Sequence, residues 1–100
     1  MTDSSQWVSI ERNAAVNFFS IIWDADDDPE GNVVHISEHG LSVEDVEAVL
    51  NDPDSEGTSR SSGLPAVWGY TPDGTYIMVV YVQIDRDTIR VRTAYEVPEP

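Results

Sequence analysis

The chain of 100 residues carries 19 acidic side chains against 5 basic ones, for a net charge of −14; every cation is an arginine, and lysine and cysteine are absent. One domain of this length buries roughly 60–70% of the surface its unfolded chain exposes, so a small core must form without disulfides to help it. The charge excludes nucleic-acid binding by bulk electrostatics, because a phosphate chain is repelled over a Debye length of about 8–10 Å unless a local arginine cluster reverses the field.

An apolar fraction of 40% with 24% charged residues is that of a globular protein. The acidic surface serves solubility or salty surroundings, or else it meets a basic partner protein. Asp3 stands where a secretory signal would be positive, and Asn17 and Ser20 interrupt the apolar stretch Ala14 to Trp23. Neither a signal peptide nor a membrane span is expected, and together with the missing cysteines this points to the cytoplasm.

Met1 to Gln6 reads as a tail. Trp7, Ile10, Ala14 and Phe18 recur at near-helical spacing, whereas Phe18 to Trp23 reads equally as a strand, so a short helix followed by a strand is expected. Asp24 to Gly31 is a carboxylate-rich turn. Asn32 is expected to cap a two-turn helix through Val33, Val34 and Ile36 that stops at Gly40. Ser42 caps a second helix with Glu44 and Asp45 in its first turn and an apolar stripe of Val43, Val46, Val49 and Leu50; Asp52-Pro53 ends it.

Asp54 to Gly63 lacks periodicity and is expected as an exposed loop or ragged edge strand containing Arg60. Ala66 to Tyr70 is a strand, Thr71-Pro72-Asp73-Gly74 a turn, and Tyr76 to Ile84 a nearly continuous apolar run suited to a central strand covered on both faces. In Thr88 to Val97, alternation assigns Ile89, Val91, Thr93 and Tyr95 to one face and Arg90, Arg92, Ala94 and Glu96 to the other. Helices followed by a β-meander predict an α+β domain, with the helices on one face of a small antiparallel sheet.

Few constellations carry chemistry. His35-Ile36-Ser37-Glu38-His39 has the literal form of an inverted zincin motif, but the helix ends at once and no third ligand follows. Asp24, Asp26 and Asp28 echo a calcium loop whose sixth and twelfth positions, Pro29 and His35, cannot make the turn or supply the last ligand. No cofactor or metal is therefore expected. Arg90 and Arg92, two apart on one strand and joined by Arg60 from the loop, form the only candidate grip for a phosphate or carboxylate. The competing reading pairs them with the abundant carboxylates.

Trp23-Asp24, Asn32, His39-Gly40-Leu41-Ser42 with Glu44, Asp52-Pro53, Gly69, Gly74, Val79-Val80-Tyr81 and Ile89-Arg90-Val91 with Ala94 together resemble the BrnT family of toxins. The resemblance spans residues 21–97, leaving 1–20 as an extension and 98–100 as a tail. It implies the RelE-like fold, an endoribonuclease that cleaves messenger RNA, and a ribbon-helix-helix antitoxin as partner. Of the family's basic functional positions it matches Arg90 and Arg60, and an active enzyme of this fold would draw on His39 as acid or base, Arg60, Arg90 and Arg92 as phosphate clamps and Tyr81 or Tyr95 for positioning.

Two departures stand out: Glu38 occupies a position usually basic in the family, and Ala94-Tyr95-Glu96 replaces a basic segment. Cleavage of a phosphodiester needs positive charge at the phosphoryl oxygens, so the expectation is a toxin-like protein with weak or lost activity that acts through protein binding. The alternatives are an active ribonuclease using His39 or His35, and a metal-binding or structural interaction module. Nucleic acid is disfavoured as a partner, no membrane association is expected, and self-association is left open.

Overall fold

A computed structural model describes residues 20–100. The expected tail and the helix from Trp7 lie outside the described residues; of the strand expected over Phe18 to Trp23, the described part is Ser20–Ile22. The elements are β1 (Ser20–Ile22), α1 (Asn32–Glu38), α2 (Val43–Asn51), β2 (Ser55–Thr58), β3 (Pro65–Tyr70), β4 (Tyr76–Asp85) and β5 (Thr88–Glu96). They form one five-stranded sheet in the order β1-β5-β4-β3-β2.

The α+β class holds, but the sheet is mixed rather than antiparallel. β1 precedes the helices and runs parallel to β5, pairing Ile22 with Arg90, while every other pair is antiparallel. A parallel neighbour requires a long crossover. Here both helices and three strands intervene, so nothing local in a three-residue strand announces its partner.

Capping chemistry shapes the two helices differently. Ser42 accepts the Asp45 N–H while the Asp45 carboxylate accepts the Ser42 N–H, a reciprocal box that fixes the start of α2. Asn32 does not cap α1; Gly31 does, without a side-chain bond, and Asn32 is the first helical residue with its amide turned inward. Gly40 takes φ 79°, which lets the Leu41 N–H return to the Ile36 carbonyl and close the helix.

Ile36, Val46, Val49 and Leu50 from the helices pack on Val67, Ile77, Val79, Ile89, Val91 and Ala94, which places both helices on one face of the sheet. Ala66, Met78 and Val80 are buried on the opposite face beneath Leu64, Trp68, Tyr95 and Val97, so β4 is covered on both sides as its unbroken apolar run implies.

The alternation expected along β5 fails at one residue. Val80 pairs with Thr93 and Tyr81 with Val91, so Arg92 is left without a partner in a β-bulge. Beyond it the pattern inverts: Ala94, not Thr93, joins Ile89 and Val91 against the helices, and Tyr95 turns to the other face.

Candidate functional site

The parallel pairing of β1 with β5 brings the chain after Ile22 past Arg90. Arg90 donates from Nη1 to Asp24 Oδ1 at 2.8 Å and from Nη2 to Oδ2 at 2.7 Å, a bidentate pair. The Asn32 N–H donates to Asp24 Oδ2 at 2.9 Å, and Asn32 Oδ1 accepts the Asp24 N–H at 2.8 Å. Asn32 Nδ2 donates to the carbonyls of Ile22 and Val91 at 2.9 and 3.0 Å. One side-chain amide thereby joins β1, β5 and the turn before α1, with each of its polar atoms engaged.

Two neighbours complete the arrangement. Trp23 donates from Nε1 to Glu47 at 2.9 Å, anchoring the same turn to α2. Gly31 is forced by close approach: a Cβ there would lie 2.6 Å from the Cβ of Asp24. Sequence reasoning read Gly31 only as the end of a turn, because the contact that excludes a side chain is with a residue seven positions earlier.

The Arg90 guanidinium, helped by the Asn32 N–H, lowers the Asp24 carboxyl from its ordinary 3.8 to about 2, and Asp24 in turn raises Arg90. A carboxylate depressed in the folded state stabilises it fully above the unfolded value and loses that contribution as pH falls toward the folded one. The stability difference between the wild type and Asp24→Asn should therefore be constant near neutrality and shrink between about pH 4 and pH 2, as thermal melts across that range would record.

Beside this network, the Asp24–Gly31 turn, α1 and the bulged part of β5 enclose a cleft of 440 Å³ whose walls include Glu30, His35, Arg90, Arg92 and Thr93. The bulge and the helix bring Arg90, Arg92 and His35 together although they lie on different elements. Among the described residues, Arg90–Asp24 is the salt bridge that engages this arginine pair, and no carboxylate lies within salt-bridge distance of Arg92.

The other candidates scatter. His39 packs edge-on against His35, with ring centres 5.2 Å apart, and meets Tyr95 at 5.9 Å, but neither His39 nor Tyr95 lines the cleft. Tyr95 donates to Met78 Sδ at 3.5 Å. Arg60 sits on the β2–β3 turn and lines a separate cleft of 400 Å³ with Trp68, Met78 and Tyr95, on the face away from the helices. Tyr81 is not in either cleft: it packs with Ile77 and Val79 under the helices, and burial followed by the charge of Glu56 raises its hydroxyl.

The two histidine rings of the H-x-x-E-H segment thus contact each other, and among the described residues no group of three or more His, Cys, Asp or Glu is placed to hold a metal ion. No helix among the described residues is long and apolar enough to cross a membrane. Comparison with family models, curated proteins and solved structures returns no match to this chain.

Proposed function

We propose that this chain is a BrnT/RelE-like member of a type II toxin–antitoxin pair that keeps the scaffold, has weak or lost ribonuclease activity, and acts in the cytoplasm by binding a protein. The observation that carries the reading is the fate of the residues on which the resemblance rests. Asp24, Asn32 and Arg90 are consumed by one hydrogen-bonded network, so the arginine matched to the family has its charge countered by a bidentate carboxylate. Gly40 and Ser42 serve helix ends, and Trp23 holds α2. These residues serve the scaffold.

The positions where the family carries cations are Glu38 and Tyr95-Glu96 here, and with a net charge of −14 the surface suits a basic partner such as a ribbon-helix-helix antitoxin. A second reading, an active ribonuclease, is favoured by the meeting of His35, Arg90 and Arg92 in one cleft, with the His39 ring packed against that of His35. Expression in a bacterial host separates the two. The proposed reading expects normal growth at confirmed soluble levels, and capture of a ribbon-helix-helix protein encoded in a neighbouring reading frame. Growth arrest relieved by Arg92→Ala would establish the active enzyme instead.

A further inference from the structure

The body of this protein repels a nucleic-acid strand, yet its cleft brings two of the five arginines onto one wall. A strand presents a phosphate at every nucleotide and meets the full negative surface, whereas a single phosphate group senses chiefly charges within the Debye length of about 8–10 Å. At the cleft those are Arg90 and Arg92 against Asp24, Asp28 and Glu30, with the His35 imidazole on the same wall as a polar partner. Arg90 spends two of its five N–H donors on Asp24 and retains three. Arg92 has all of its donors clear of carboxylates among the described residues, and the β-bulge that excludes it from the strand ladder leaves it at the cleft wall.

We propose that this cleft binds a small phosphate monoester, no larger than a mononucleotide, through Arg92, His35 and the unused donors of Arg90. A volume of 440 Å³ lies in the range of small-ligand sites, and planar guanidinium forks match the geometry of phosphoryl oxygens. Thr93 adds a hydroxyl on the same wall. Asp24 fixes the orientation of Arg90 in advance, which lowers the ordering cost of binding. Glu30 opposes the ligand from the rim and sets an upper bound on affinity. The inference rests on the reading above in one respect, that the cleft does not turn over RNA.

Titration of the full chain with inorganic phosphate, adenosine monophosphate, acetate and a short RNA tests it, read by calorimetry and by amide shifts of His35 and Arg92. The monoester is expected to bind saturably at millimolar concentration or tighter. Arg92→Ala should weaken it about tenfold or more, and His35→Ala about threefold to tenfold. Glu30→Gln should tighten it about twofold to threefold, a gain that no folding defect can mimic. Absence of saturable binding up to 10-fold above about 1 mM, or a Kd unmoved by Arg92→Ala and Glu30→Gln alike, would overturn the proposal. Equal affinity for acetate would overturn the phosphate assignment, and tighter binding of the RNA per phosphate would overturn the preference for a small ligand. RNA cleavage would instead sink the proposed loss of activity, so the two failures are distinguishable.

Discussion

Replacing Asn32 by alanine is expected to destabilise the protein by about 2–4 kcal/mol, the sum of lost hydrogen bonds and of partners left dry. Asn32 is 3% exposed, and its amide satisfies the carbonyls of Ile22 and Val91 and the N–H of Asp24. Alanine fills none of these roles, and the Val91 bond is itself buried, so water cannot substitute freely. In a domain of this size each kcal/mol lowers the midpoint by roughly 4–8 °C, which a melting curve resolves easily. Asn32→Asp should be no milder, since it keeps the acceptor but turns the two-donor group into an oxygen facing two carbonyls. An Asn32→Ala variant that melted within 2 °C of the wild type, below the roughly 8 °C lower limit implied by those figures, would show that the network is not structural.

Ile36→Ala is expected to cost about 2–5 kcal/mol, the usual range for emptying a fully buried aliphatic site. Its consequence reaches further than the core. α1 has seven residues, too few to hold itself together in water, and its wide contact is with β5 alone. Ile36, 0% exposed, is the side chain that seats it. Loosening α1 removes His35 from the cleft, so the variant should lose binding of the phosphate monoester as well as stability. Ile84→Ala, at a site 50% exposed, serves as the control and should change stability by less than about 0.5 kcal/mol.

Much of the fold was legible because local chemistry and final structure agree. The Ser42 cap, the Val46, Val49 and Leu50 stripe, the Gly40 stop and the Thr71–Gly74 turn each act within a few residues, and each is where the residue pattern puts it. Misreadings arose where a residue answers to a distant segment. Asn32 resembles a cap because asparagine before an apolar helical run usually is one; its true partners, Ile22 and Val91, are brought to it only by the parallel strand pair. The bulge at Arg92 depends on the fit of β5 against β4, and no feature of Thr88 to Glu96 marks it.

The candidate site was legible in part. The grouping of Arg90 with Arg92 survives, now with His35 as third member, and the reading that pairs Arg90 with a carboxylate is also realised. Tyr81 shares strand parity with Ile77 and Val79, but an apolar run covered on both faces hides which parity points to the helices. Arg60 was placed near the other arginines on charge alone; it lines a separate cleft with Trp68, Met78 and Tyr95.

Incubation of the purified full chain with a labelled single-stranded RNA at low salt most directly tests whether the family-like residues now serve structure in place of chemistry. The account expects intact RNA over many enzyme equivalents of time, indistinguishable from Arg92→Ala and His39→Ala controls. Cleavage by the unaltered chain that disappears in those controls would contradict it.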